Sequence, residues 1–76
     1  MIPDSYRAAF AQIAEQRFTE PGIWRVRISD RSGRSSGNVR VESPLDLAAG
    51  IEALWPHDID PADAEIDVAL VERLPL

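Results

Sequence analysis

The chain lacks cysteine and lysine and has a single histidine, His57, among its 76 residues. Without cysteine it can form neither a disulfide nor a thiolate metal site, so a hydrophobic core or association with another chain must stabilise the fold. The same absences remove the usual nucleophile and base pairs of covalent catalysis. The composition therefore predicts a protein that is not an enzyme and holds no cofactor.

Long apolar runs are also missing. A membrane-spanning helix needs about 20 consecutive apolar residues, and every run in this chain is much shorter. Residues 1–5 contain neither the basic nor the apolar region of a signal peptide. We therefore expect no membrane contact and a cytoplasmic location.

Alternation of apolar and polar residues predicts a β-hairpin over residues 22–42. In the first strand every second side chain is apolar, namely Trp24, Val26 and Ile28. Val39 and Val41 repeat this pattern in the second strand. Residues 31–37, between the two strands, include two glycines and no apolar side chain, which predicts an exposed and mobile loop.

Two segments have the three- and four-residue apolar spacing of helices that pack on a core. The first stripe comprises Tyr6, Phe10, Ile13 and Ala14, and the second comprises Leu47, Ala48, Ile51, Leu54 and Trp55. Asp4 and Ser5 are expected to cap the first helix and Ser43 the second, which Pro56 ends. Gly50 borders the second stripe and costs about 1 kcal/mol relative to alanine, which predicts close packing against its backbone.

A third strand is predicted after a single helical turn at residues 60–63. Its apolar positions are Ile66, Val68 and Leu70, which alternate with other residues. Residues 1–76 then form one α+β domain of order α-β-β-α-β, near the smallest size that a single core stabilises. We expect a three-stranded, mostly antiparallel sheet with the first strand central and both helices on one face. A parallel pairing of the second and third strands also satisfies the pattern.

The net charge of −5 conceals an uneven distribution. Residues 1–42 contain seven arginines and five carboxylates, whereas residues 43–76 contain one arginine and eight carboxylates. The densest acidic run comprises Asp58, Asp60, Asp63, Glu65 and Asp67. Because charge complementarity accelerates encounter and excludes wrong partners, this run is a candidate binding surface.

The same carboxylates do not fit the calcium loop of an EF-hand. That motif needs an oxygen-bearing residue where Ala62 stands and a glycine where Asp63 stands. We therefore predict no metal site, although an irregular group of carboxylates can also bind a divalent ion. Residues 31–37 likewise lack the spacing and the lysine of a phosphate-binding P-loop.

These features favour a small acidic binding protein that inhibits or regulates a target by docking on its basic surface. Antitoxins, bacteriocin immunity proteins and phage-encoded inhibitors such as anti-CRISPR proteins are similar in size, acidity and lack of catalytic groups. The similarity is one of size and charge, without a shared motif, and it implies a protein partner.

Other interpretations give the arginines the main role. Those of the hairpin are Arg25, Arg27, Arg31, Arg34 and Arg40. They could contact the phosphates of a nucleic acid, with Arg31 and Arg34 in the hairpin loop, but the negative net charge and the missing aromatic platform weigh against this. Alternatively, the basic and acidic halves of two copies could meet in a homodimer. The simplest alternative pairs the strand arginines with Glu65 and Asp67 across the sheet.

Overall fold

The computed structural model describes residues 2–31, 33–56 and 59–74, and its elements follow the order expected from the sequence. They are helix α1 (Asp4–Arg17), strands β1 (Gly22–Asp30) and β2 (Gly33–Val41), helix α2 (Pro44–Leu54), a 3-10 turn (Pro61–Asp63) and strand β3 (Glu65–Arg73). The strands form one sheet of order β2-β1-β3, and both pairings are antiparallel. The α+β class and the central position of the first strand are therefore confirmed. The parallel pairing of the second and third strands is wrong, because β1 lies between them.

The core lies between the sheet and the two helices, as the alternation predicts. Its fully buried members are Phe10, Ala14, Trp24, Val26, Ile28, Val41, Leu47, Ile51 and Trp55. The polar ends of both tryptophans find partners, which buried indoles require. Trp24 Nε1 donates to the carbonyl of Glu20 at 3.0 Å, and Trp55 Nε1 donates to that of Ile59 at 2.9 Å. The helices are joined at their surface by Arg7, whose Nε lies 2.7 Å from Glu52 Oε1.

Helix α2 packs directly on β2, and Gly50 makes this close approach feasible. A Cβ atom built on Gly50 would lie 2.8 Å from Cγ2 of Val39, much closer than two carbon atoms normally come. The glycine in the helix interior is therefore explained, as the sequence predicted, by packing against its backbone.

The loop expected over residues 31–37 is wrong for residues 33–37, which belong to β2, whereas Arg31 occupies a turn and Ser32 lies outside the described residues. Strand β2 already begins at Gly33, which pairs with Asp30, so only two residues connect the strands. Asp30 Oδ1 accepts a hydrogen bond of 3.0 Å from Gly33 N, and Gly33 has φ = 151°, a value that favours glycine. The polar, glycine-rich composition of residues 33–37 is typical of a loop. Here these residues belong to a strand whose inner side lies under helix α2.

Two small residues on the inner side of β2 explain that composition. Ser35 Oγ donates a hydrogen bond of 2.9 Å to the carbonyl oxygen of Leu54, at the end of α2. A Cβ atom on Gly37 would lie 3.1 Å from Cδ2 of Leu54. Because the last turn of α2 occupies the space above this part of the strand, larger side chains would not fit there.

The helix starts only partly follow the sequence signals. Helix α1 begins at Asp4, with Pro3 in the capping position and no side-chain cap, so capping by Asp4 and Ser5 is wrong. Helix α2 begins after Ser43 as expected, but the Ser43 side chain makes no capping hydrogen bond, so capping by Ser43 is wrong. Asp46 Oδ2 accepts a hydrogen bond of 2.9 Å from Glu42 N, just before the helix. Neither of these helices, nor any other in the described part of the chain, is long and apolar enough to cross a membrane.

Replacing Gly50 with alanine is expected to lower the free energy of unfolding. Alanine is favoured in helices by about 1 kcal/mol, but its methyl group would collide with the branched and rotationally restricted Val39. In a Val39→Ala background the same replacement should cost markedly less, because the obstructing methyl groups are gone. Urea denaturation of all four proteins in this cycle measures the coupling. Stabilisation by Gly50→Ala in the otherwise unchanged chain would contradict the packing described.

Candidate functional site

The face of the sheet opposite the helices, here called the open face, is formed by the outward side chains of all three strands. It consists of Ile23, Arg25, Arg27, Ser29, Arg34, Ser36, Asn38, Arg40, Glu65, Asp67, Ala69 and Glu72. Each of these residues is exposed or half-buried. The open face is therefore a polar surface on a rigid sheet, with both signs of charge.

Charge on the open face is divided between the strands. Strands β1 and β2 carry its four arginines, here called the arginine side: Arg25, Arg27, Arg34 and Arg40. The carboxylates lie on β3 and on the 3-10 turn before it. We call Asp60, Asp63, Glu65 and Asp67 the acidic border. Forked guanidinium donors and carboxylate acceptors thus lie side by side, an arrangement suited to recognition of a charged surface.

The register explains why the arginines do not form the expected cross-strand ladder. Arg25 lies opposite Ala69, and Arg40 is two strands away from β3, so only Arg27 faces a carboxylate, that of Asp67. Arg27 and Asp67 are both exposed, and no ion pair within 4.0 Å joins them. Exposed pairs contribute little to stability, so nothing holds these two side chains together. The predicted pairing of the strand arginines with Glu65 and Asp67 is therefore wrong.

The ion pairs that do form among the described residues lie outside that ladder. They join Arg7 to Asp4 and Glu52, Arg40 to Glu42 on the same side of the hairpin, and Arg73 to Glu20. Within the described chain, Arg25, Arg27, Arg31 and Arg34 have no ion-pair partner. Their charges are available to a ligand or a partner.

Arg31 and Arg34 do not lie together in a loop as expected. Arg31 occupies the short turn, but Arg34 belongs to β2, where it pairs with Ser29. Ser29 in turn pairs with Glu65, so Arg34 and Glu65 occupy the same row of the sheet, one on each edge strand. The expectation that Arg34 lies in the hairpin loop is wrong because β2 extends further than its composition suggested.

The predicted acidic residues have different roles in the structure. Asp58, like His57, lies outside the described residues. Asp60 caps the 3-10 turn, since its Oδ1 accepts a hydrogen bond of 2.9 Å from Ala62 N. Asp63, Glu65 and Asp67 are exposed. No group of three potential metal ligands converges within the described ranges, which gives no support to an irregular cation site.

An exposed apolar residue at the border of the open face, Val71, was not predicted from the sequence. The pairing of β1 with β3 is irregular between Ile23 and Trp24, and Val71 is the extra residue on β3. Val71 is 52% exposed and lies near Ile23 and Ala69. The only sequence signal was the break in alternation where Val71 and Glu72 follow Leu70.

A shallow depression lies where the hairpin turn meets β3. Arginines 27, 31 and 34 line it together with Asp30, Glu65 and Asp67. Both charge signs therefore converge at this end of the sheet, and the depression is not a site for anions alone.

Comparison with protein-family models, curated proteins and solved structures found no match to this chain. The geometry of the open face is therefore the basis for the functional argument.

Asp60 and Asp63 should respond differently to truncation. Asp60→Ala removes the acceptor of the Ala62 amide, so we expect the free energy of unfolding to fall by up to about 1 kcal/mol, the usual value of a helix cap. Asp63→Ala serves as the matched control. It removes the same charge from the same turn, but no hydrogen bond of the Asp63 side chain is found within the described residues. Urea denaturation compares the two variants. Equal losses would show that Asp60 does not cap the turn.

Proposed function

We propose that this chain is a small acidic binding protein, an inhibitor or regulator that docks its acidic border on a basic surface of a target protein. The observation that supports this is the placement of Asp63, Glu65 and Asp67. All three are exposed, and none has an ion-pair partner within the described residues. These three carboxylates follow one another along the chain and are available to basic side chains of a partner.

The sheet holds two of these carboxylates, Glu65 and Asp67, in a fixed arrangement. Glu65 and Asp67 point to the same face of β3, so their Cα atoms are about 7 Å apart. Because β3 pairs with the central strand along most of its length, little backbone entropy is lost when a partner binds. Complementary charge of this kind raises the association rate and rejects partners of the wrong sign.

The neighbouring arginines favour a protein over a nucleic acid as the partner. A nucleic acid that lay on Arg27 and Arg34 would also bring its phosphates near Asp67 and Glu65, which share rows of the sheet with them. Proteins present both signs of charge and can complement both sides of the open face. The size and acidity agree with inhibitors of the antitoxin, immunity-protein or anti-CRISPR kind.

Nucleic-acid binding is a second candidate function, favoured by one observation. Arg25, Arg27 and Arg34 have no carboxylate within 4.0 Å in the described chain and lie on one side of the sheet. Such arginines can contact successive phosphates, and the resulting affinity is greatest in dilute salt. Gel retardation of DNA and RNA at low ionic strength tests this candidate, and free migration of both would exclude it.

Neutralising three of the four carboxylates of the acidic border should abolish target capture. The test variant combines Asp63→Asn, Glu65→Gln and Asp67→Asn, and leaves Asp60 in place because it caps the turn. In a pull-down from an extract of the source organism at low salt, we expect the unchanged protein to retain a basic protein that this variant loses. High salt should release the same protein, because screening weakens attraction between exposed charges.

A matched control removes three carboxylates elsewhere. It combines Asp4→Asn, Glu15→Gln and Glu42→Gln, all at exposed positions. The control has the same net charge as the test variant and should still capture the target. Equal capture by the test variant and the unchanged protein would contradict the proposed function, and equal loss in both variants would show that only net charge matters.

A further inference from the structure

Opposite charges on the open face are separated across the strands. Arg34 and Arg40 lie on edge strand β2, whereas Glu65 and Glu72 lie on the opposite edge strand, β3. The register places these residues in matching rows. Ser29 pairs with both Arg34 and Glu65. Ile23 likewise pairs with both Arg40 and Glu72.

Two open faces can stack about a two-fold axis that lies between the sheets and runs either perpendicular or parallel to the strands. If the axis is perpendicular to the strands, each strand lies over its own copy, and like charges meet. If the axis runs parallel to the strands above β1, then β2 lies over β3 of the other copy. Arg34 then faces Glu65 of the second copy, and Arg40 faces its Glu72. We infer that the open face binds a second copy of this chain in this second arrangement.

The other surfaces of the sheet are poorly suited to self-association. Antiparallel pairing of two β2 edges centred on Gly37 would place Arg34 opposite Arg40 of the other copy, and like charges directly opposite are destabilising. Pairing of two β3 edges would meet the irregularity at Val71. The open face is therefore the part of the described sheet that a second copy fits best.

The arginines of the central strand are the unfavourable part of this arrangement. Because the axis runs above β1, Arg25 and Arg27 each face their own copy. In the row of Arg27, Asp67 lies one strand away in each copy and offsets part of the repulsion. The row of Arg25 contains Asn38 and Ala69 and no carboxylate, so Arg25→Gln should strengthen the association.

The size of the face limits how stable the dimer is. Strands of nine residues are about 30 Å long, and three of them are about 14 Å wide with their side chains. Stacking buries about 800 Å² in total, less than the roughly 1,200 Å² of most stable complexes. The dimer is therefore reversible, depends on protein concentration and weakens as salt screens its charges.

Sedimentation velocity on the purified protein tests the inference without any target. From micromolar to millimolar concentration in about 0.02 M salt, the average mass should rise from that of the 8.4 kDa chain towards twice that mass. In about 0.5 M salt the chain should remain monomeric. A monomer at every concentration in dilute salt would overturn the inference, as would a dimer that salt leaves unchanged.

Charge exchange identifies the interface. Arg34→Glu and Glu65→Arg should each abolish the dimer, because like charges then face each other twice. An equal mixture of the two variants should form a mixed dimer, because both contacts between unlike variants are attractive. Arg17→Glu, an exposed change of equal charge on α1, should leave the dimer intact.

Other outcomes distinguish the stacked arrangement from pairing of two β2 edges. Retention of the dimer by Arg34→Glu, or failure of the mixture to associate, would overturn the stacked arrangement. A stronger dimer in Arg34→Glu alone would instead indicate pairing of two β2 edges, where the new carboxylate meets Arg40. Both substituted positions are exposed, and circular dichroism checks that the variants fold. The inference does not depend on the proposed function, because the mass measurement contains no target.

Discussion

The close approach of helix α2 to strand β2 determines which surface the protein presents. Gly50 has no Cβ atom where Val39 comes near, and Gly37 and Ser35 leave space for Leu54. Because successive side chains of a strand point to opposite faces, fixing Ser35, Gly37 and Val39 inward fixes Arg34 and Arg40 outward. Helix α1 lies on the same side of the sheet, where it packs against α2. Packing of Val39 on Gly50, and of Leu54 on Gly37, thus leaves a charged, uncovered face on the other side of the sheet.

That face derives its character from the register of the sheet. With β1 in the centre, the arginines of the hairpin and the carboxylates of β3 become neighbours, although they are far apart in the sequence. Arg27 and Asp67 lie opposite each other without an ion pair, and both remain available to water or to a partner. A surface with both signs of charge in separate strips discriminates between partners better than a uniform one. This separation of charge supports the proposal that the domain recognises its partner electrostatically.

The parts of the fold that depend on buried apolar residues could be predicted from the sequence. Trp24, Val26 and Ile28 predicted β1, and the glycine at 50 correctly indicated close packing. Prediction failed at residues 33–37, because small polar residues under a helix have the same composition as a loop. It also failed for the arginine ladder, since pairing depends on register and alternation alone does not define register. The capping role of Asp60 could be expected from its position before Pro61. That Asp60 caps the turn and Asp63 does not became clear only from the hydrogen bond between Ala62 N and Asp60 Oδ1.

Hydrogen exchange at the amides of Ser35 and Gly37 measures whether residues 33–37 form a strand paired with β1. In a hairpin closed by two residues, the pair Asp30 and Gly33 is hydrogen-bonded, and so is every second pair after it, which directs these two amides at β1. If β2 is a strand under α2, both amides should exchange about a hundredfold more slowly than in an unstructured peptide. Exchange at the unprotected rate would show that residues 33–37 form a loop, and the packing of α2 and the assignment of the open face would both be wrong.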